Sequence, residues 1–397
     1  MWQGRRVVLG ITGGIAAYKC VRLARELTLR GAQVDVVMSR GAGEFVGAVT
    51  FEAVTHRPVR SSLWEPHGAL DHLALGQGAD LVILAPATAH LLARAALGLA
   101  DDLLTSMLLA TTAPILVAPA MNDVMFANPA TEANLATLVA RGWHVAGPGV
   151  GPLAEGPSDR AGRMAEPDEI LAHAARTLHP AGALTGRRVL VTAGPTREPI
   201  DPVRVLTNRS SGKMGYRLAE AAWQRGAEVT LISGPAQEPE PVGVPVIRVE
   251  TVAQMTAAVR DHLAGADVLI MAAAPADFRV ASPGTAKRPR GDGEFALELL
   301  PTEDILAATL ADRPAGLTAV GFALETGNAV EKGLAKLHRK RLDMIVVNDA
   351  LEVGAGFEVD TNAVTILDRR GGAAPVSMRS KAEVAQAILD AIEKYRE

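Results

Sequence analysis

At 397 residues the chain is long enough for two or more domains, each with its own core. Hydrophobic residues at 48% against 21% charged give an ordinary soluble balance, and a net charge of −4 gives no electrostatic case for nucleic-acid binding. The single cysteine, Cys20, excludes an intrachain disulfide framework and a cysteine-rich zinc site.

Arg5 and Arg6 precede an apolar run, Val7 to Ile11, that Gly13 and Gly14 interrupt. It is too short for a signal-peptide core and no later stretch has membrane length, so the expected location is the cytoplasm, with no membrane partner. Gly10 to Lys19 follows this strand and opens a helix. It lacks the spacing of the dinucleotide fingerprint, but a glycine pair at a helix N-terminus offers backbone donors to a mononucleotide phosphate. Cys20, in that helix, reads as a packing residue.

Arg22-Leu23-Ala24 is followed at a fixed spacing by Arg30-Gly31-Ala32 and the strand Val34 to Met38. Arg217-Leu218-Ala219, Arg225-Gly226-Ala227 and the strand Val229 to Ile232 repeat the pattern. Gly78-Ala79-Asp80 leads into Leu81 to Leu84 as Gly265-Ala266-Asp267 leads into Val268 to Met271. Continuous apolar runs suit strands buried on both faces, joined by right-handed crossovers. Two α/β domains follow, both doubly wound and Rossmann-like. Loops at Ala85 to Ala89, Ala100 to Leu104 and Pro119 to Met125 leave strands or cap helices in the first domain, where ligands of such sheets gather.

Pro167 to Leu178 reads as a helix with proline and acids in its first turn. His179 to Ala183 breaks the pattern, giving domains at 1–178 and 186–397 and a linker at 179–185. After the strand Val189 to Val191 comes a polar loop with Arg197, Glu198, Asp201, Arg204, Asn208 and Arg209. It enters a helix at Ser211-Gly212-Lys213, a start suited to phosphate. Lys336 and Lys340 form an i, i+4 pair, either a solvated face or a phosphate contact. Asp343 to Asp349 reads as a buried strand ending in polar residues, and Lys381 to Tyr395 as an amphipathic closing helix that packs on the core.

Thr192-Ala-Gly-Pro-Thr-Arg-Glu-Pro-Ile-Asp-Pro-Val-Arg204, then Asn208-Arg-Ser-Ser-Gly-Lys-Met-Gly215, resembles the signature of phosphopantothenate–cysteine ligases. In bacteria this ligase is commonly the second half of a bifunctional coenzyme A biosynthesis protein whose first half is an FMN-dependent phosphopantothenoylcysteine decarboxylase. The first-domain loops together resemble that flavoprotein half.

For the first domain the resemblance implies FMN bound by Gly13, Gly14, Ile15, Ser39, Thr88 and Asp102. It makes His72 the catalytic histidine that assists proton removal. Asn122 holds the substrate carboxylate, Met121 shapes the pocket, and Arg163 and Met164 bind substrate from a flap. The family flap carries a cysteine that protonates the oxidised, decarboxylated intermediate. Here Leu153-Ala154-Glu155-Gly156-Pro157-Ser158-Asp159 places Glu155 at that position, in a turn one residue longer. Either Glu155 or Asp159 donates the proton, its pKa raised by a closed flap, or the flap only covers the site and water or substrate donates.

For the second domain the resemblance implies a CTP-dependent ligation through an acyl-cytidylate, with Mg²⁺ accompanying the triphosphate. Arg204, Asn208 and Lys287 are its catalytic residues, and Ala273, Asp277, Asp304, Ile305, Phe322, Lys336 and Lys340 contact the nucleotide. Arg288 and Arg290 are weaker assignments, because Pro289 departs from the family form. Gly356-Phe357 and Asp360-Thr361-Asn362 complete the pattern in a pocket or subunit contact. The substrates are 4′-phosphopantothenate, cysteine and CTP. The assembly is a homo-oligomer, a dodecamer of flavoprotein trimers and ligase dimers. Two other readings remain open at this level: a ligase with an inactive or incomplete flavin half, and a regulatory flavin-binding protein.

Overall fold

Strand β1 (Arg6–Ile11) is apolar without alternation because side chains pack on both its faces. Val7, Leu9 and Ile11 join one core and Val8 the other, all of them fully buried. The computed structural model describes residues 1–64, 68, 70–287, 289, 295–349 and 359–397. Arg288, Arg290, Gly356 and Phe357 lie outside the described residues. The chain divides into two units, Met1–His179 and Pro180–Glu397.

In the first unit β1 leads to α1 (Ala17–Leu29), β2 (Gln33–Met38), α2 (Ala48–Thr55), α3 (Asp71–Gly78) and β3 (Leu81–Ala87). Next come α4 (Ala89–Leu97), α5 (Leu103–Ala110), β4 (Ile115–Pro119), α6 (Asp123–Phe126), α7 (Pro129–Ala140) and β5 (His144–Val145). The sheet runs β2-β1-β3-β4-β5, all parallel. Winding therefore reverses between β1 and β3, which opens a crevice at their carboxyl ends. Two short strands, β6 (Gly149–Val150) and β7 (Ala161–Arg163), pair antiparallel as the base of a flap before α8 (Pro167–Leu178).

Helix α1 forms because Ala17, Cys20, Leu23, Ala24 and Leu27 fall on one stripe, all of them buried. Cys20 is fully buried, its Sγ 2.9 Å from the Ala85 carbonyl oxygen, and burial pushes its thiol pKa far above the usual range. It packs, as its place in the helix suggests.

The second unit opens with β8 (Arg188–Ala193) and a hairpin, β9 (Arg197–Pro199) and β10 (Val205–Thr207), within the polar loop. Then come α9 (Lys213–Gln224), β11 (Glu228–Ser233), β12 (Val246–Arg248), α10 (Val252–Leu263), β13 (Val268–Met271), β14 (Phe278–Val280) and β15 (Leu299–Pro301). The chain closes with α11 (Ile305–Ala308), β16 (Thr318–Glu325), α12 (Ala329–Arg339), β17 (Met344–Asp349), β18 (Thr361–Asp368), β19 (Ala373–Ser380) and α13 (Lys381–Arg396).

The main sheet runs β12-β11-β8-β13-β16-β17-β18-β19. Its first six strands are parallel, and in chain order they read 3-2-1-4-5-6, the doubly wound arrangement with its reversal between β8 and β13. The antiparallel pair β18 and β19 extends that sheet beyond the pattern legible in the sequence; a tight turn closed by Asp368 and Gly372 suffices to join them. Leu184 is fully buried, and its N–H reaches the Glu393 carboxylate on α13 at 3.4 Å, so residues just before β8 pack within this unit. No helix among the described residues is long and apolar enough to cross a membrane.

Two candidate active sites

In the first unit the β1/β3 crevice is a cavity of about 730 Å³. The turn Gly13–Ala16 lines it at the N-terminus of α1, whose first N–H groups bond back to the carbonyls of Gly14, Ile15 and Ala16. Glycine is required at position 13: a Cβ there would stand 2.9 Å from the carbonyl carbon of Gly41 on the neighbouring loop. Thr12 locks the two strand exits together, donating to the Pro86 carbonyl at 2.6 Å and accepting from the Thr88 N–H at 3.2 Å.

Asp102 caps α5, taking the Thr105 N–H at 2.8 Å, and accepts from Arg94 at 2.7 Å. Burial alone would raise its carboxyl pKa, but the hydrogen bonds from Arg94 and Thr105 outweigh it and hold the group below its usual value. Asn122 caps α6 through its Oδ1, which accepts from the Val124 N–H at 2.9 Å. That fixes the amide, and its Nδ2 donates to Glu155 on the flap. Ser158 ties the same flap to Asp123 at 2.6 Å, and Gly162 accepts the Met121 N–H at 3.0 Å.

Gly13, Gly14, Ile15, Ser39, Thr88, Asp102, Met121, Asn122, Glu155, Arg163 and Met164 all line this cavity. His72 does not. It sits on α3 with its Nδ1 buried and without a hydrogen-bond partner among the described residues. Asp159 and Glu155 are both exposed, and only Glu155 borders the cavity.

In the second unit the β8/β13 crevice holds a cavity of about 640 Å³. Gly212, at φ +82°, turns the chain into α9, and a Cβ there would lie 3.0 Å from that of Ala236. Asn208 donates to the carbonyls of Ala274 and Pro275 at 3.2 and 3.0 Å, holding the polar loop against the run that leaves β13. Lys336 donates to the Phe322 carbonyl at 3.0 Å, and Lys340 pairs with Asp304 at 2.8 Å. Burial, with Lys340 adding repulsion, pushes the Lys336 pKa below the lysine range.

Asn208, Ala273, Asp277, Asp304, Ile305, Phe322, Lys336 and Lys340 line this cavity. Arg204 and Lys287 do not: Arg204 pairs with the buried Asp201 in the turn of the β9–β10 hairpin, and Lys287 is exposed. Among the described residues no three His, Cys, Asp or Glu side chains gather as a metal-ligand set.

Residues 1–179 match the Flavoprotein family, and residues 184–395 match the family described as DNA/pantothenate metabolism flavoprotein C-terminal domain. The coenzyme A biosynthesis bifunctional protein CoaBC of Vibrio cholerae serotype O1 is 45% identical, over 98% of this chain and 98% of its own. That of Mycobacterium tuberculosis strain H37Rv is 47% identical, over 98% of this chain and 96% of its own. The chain belongs to the CoaBC family. A crystal structure of a CoaBC C-terminal domain is 41% identical, covers 54% of this chain and 97% of its own, and has a TM-score of 0.46.

As a CoaBC protein the chain is a bifunctional enzyme of coenzyme A biosynthesis, with a flavoprotein decarboxylase half and a ligase half. Neither a lone ligase nor a non-enzymatic flavin binder is favoured. Sequence reasoning gave no role to four cavity-lining residues of this chain, Lys19, Arg94, Asn348 and Lys381, while Lys213 and Asn362, in segments it read as a phosphate-suited helix start and as part of a pocket or subunit contact, do line the ligase cavity. Lys19 and Lys213 stood inside motifs already singled out. Lys381 gave no signal, because the first residue of an amphipathic helix reads as surface.

Proposed function

We propose that the second unit joins cysteine to 4′-phosphopantothenate at the expense of CTP, and that the first unit decarboxylates the product with FMN to give 4′-phosphopantetheine. The observation that carries the ligase reading is the convergence of Asn208, Asp277, Asp304, Lys336 and Lys340 on one cavity at the β8/β13 reversal. In that reaction a carboxylate oxygen bonds to the α-phosphorus of CTP as pyrophosphate leaves. The cysteine nitrogen then attacks the acyl carbon as CMP leaves. Both steps build negative charge, which Lys336 and Lys340 screen from a fixed helix. Asn208, held by two backbone carbonyls, is placed to hydrogen-bond the mixed anhydride. Mg²⁺ accompanies the triphosphate, using few protein carboxylates, of which Asp277 and Asp304 are at hand.

The first cavity fits FMN. Gly13–Ala16 and Ser39 would hold the phosphate, Thr88 and Asp102 would flank the ring system, and Ile15, Leu104, Met121 and Leu153 supply apolar walls. When bound, FMN supplies the two-electron oxidation that makes loss of carbon dioxide easy, and the matching reduction. Asn122 holds the substrate carboxylate through Nδ2, since its Oδ1 is committed to the helix cap. Glu155, already bonded to that amide, is the flap's proton donor once substrate displaces it and the flap excludes water.

The reading includes a homo-oligomer, as the family resemblance implies, with trimers of the first unit and dimers of the second, and in it His72, which does not line the cavity of its own chain, would serve the flavin site of a second copy. Arg204 and Lys287 act on the ligase site in the same assembly or after movement of their loops. A monomer at micromolar concentration in light scattering would overturn this part.

The test is one incubation of the purified protein with phosphopantothenate, cysteine, CTP, Mg²⁺ and FMN, followed by mass spectrometry. Decarboxylated 4′-phosphopantetheine is expected. Accumulation of 4′-phosphopantothenoylcysteine would leave the ligase and remove the proposed role of the flap. Neither product would sink both assignments.

A further inference from the structure

Lys381 occupies a place that is unfavourable for a lysine on two counts. It is 5% exposed, and burial pushes its ammonium pKa below the lysine range, with Lys213 adding repulsion. It is also the first residue of α13, where a cation meets the positive end of the helix dipole. The apolar buried stripe of α13 is formed by Val384, Ile388, Leu389 and Ile392. Yet Lys381 borders the ligase cavity beside Lys213, itself the first residue of α9. Asp360, which pairs with Lys213 at 2.6 Å, and Glu238 both act on Lys381.

Helices α9 and α13 pack on each other. Helices α10, α11 and α12 share a separate core, through Val259, Ile305 and Leu337. The winding reversal at β8/β13 puts these two groups on opposite faces of the sheet. The cavity therefore has a cationic pair from each face, Lys336 and Lys340 from one, Lys213 and Lys381 from the other. Asn208 and the run leaving β13 stand at the reversal between them. A ligase for a phosphorylated acid and a nucleotide triphosphate needs two separated anion seats. Asp304, Ile305 and Phe322, on the α12 side, are the residues read as nucleotide contacts.

We propose that Lys381, with Lys213, holds the phosphate of 4′-phosphopantothenate and makes the ligase select the phosphorylated acid over pantothenate. The inference rests on the ligase reading above. The phosphate is remote from the reacting carboxylate and is not consumed, so its binding energy serves to place the carboxylate. A dianion between the two ammonium groups favours the charged form of Lys381 and offsets the repulsion from Lys213.

Pyrophosphate release by the full-length protein tests this, with phosphopantothenate, pantothenate and CTP varied separately for the wild type and Lys381→Met. The expected result is a KM for phosphopantothenate raised about 10-fold or more, the loss of one charge-assisted hydrogen bond. The KM for CTP stays within about twofold, and the rate with pantothenate is unchanged, so the preference for the phosphorylated acid collapses. Lys381→Arg recovers part of it. A rise in the KM for CTP instead would assign Lys381 to the triphosphate. An equal loss with both acids would make it a support of the fold, and no change would dismiss it. Each of the three overturns the proposal. If thermal melting shows Lys381→Met unfolded, Lys213→Gln, on a less buried side chain, must give the same selective rise or the proposal fails. A wild type releasing no pyrophosphate with either acid would defeat the ligase reading itself, whereas a turning-over wild type with an unaltered variant would defeat only this inference.

Discussion

Glu155 and Asn122 form a pair in which one member is fixed and the other free to change partner. The α6 cap sets the amide, while Glu155 is exposed on the flap. Glu155→Gln keeps the hydrogen bond, its Oε1 still accepting from the Asn122 Nδ2, and removes the transferable proton. Decarboxylation by this variant should fall about 100-fold, the lower end for a positioned general acid, with ligation unaltered. Phosphopantetheine formation from supplied phosphopantothenoylcysteine measures the first, and pyrophosphate release the second; full turnover would remove Glu155 from the chemistry. Lys336 makes a prediction of a different kind. Burial depresses its folded-state pKa, and a triphosphate beside it favours the charged form, so nucleotide binding must take up a proton once pH has risen past the depressed value. CTP affinity should weaken with rising pH earlier than an ordinary lysine would allow. Calorimetry in buffers of different ionisation enthalpy reads the uptake directly, and Lys336→Met should abolish it.

At the scale of elements, both sites depend on a loop that leaves a central strand and turns into a helix with little room to spare. Gly13→Ala forces a methyl group against the Gly41 backbone, and the protein should then purify with much less bound flavin, read from its absorbance against the wild type. Gly212→Ala combines crowding at 3.0 Å with a φ of +82° that alanine adopts at a cost of about 1–2 kcal/mol. Thermal melting should show that loss, together with a raised KM for CTP. These loops were legible in the sequence because glycines and a strand-to-helix transition leave a local pattern. The continuous strands Val7 to Ile11 and Val189 to Val191, and the echoed segments between them, likewise announced two doubly wound sheets. The hairpin β18–β19 was not legible: whether a strand joins a parallel sheet antiparallel is decided by the partner it meets. Lys381 was missed for a related reason, since only the packing of α13 on α9 turns that residue from surface to cavity wall. His72 was named by resemblance and does not line the cavity.

At the scale of the whole molecule, the two chemistries sit in separate units, so each should fail alone. Lys336→Met should stop ligation while supplied phosphopantothenoylcysteine is still decarboxylated, and Glu155→Gln should do the reverse. Mixing the two variants should then restore the route from phosphopantothenate to phosphopantetheine, with the intermediate passing through solution.

Cys20 has one more consequence. It is the only sulfhydryl in the chain, it is sealed under α1, and burial keeps it protonated. An enzyme whose substrates include cysteine and whose product is a thiol therefore exposes no thiolate of its own to disulfide exchange or to an electrophilic intermediate. Alkylating reagents should leave the native protein unmodified by intact-mass measurement and fully active in both halves, and only denaturation should open it to labelling. Oxidative stress that caps reactive cysteines elsewhere would pass this catalyst by.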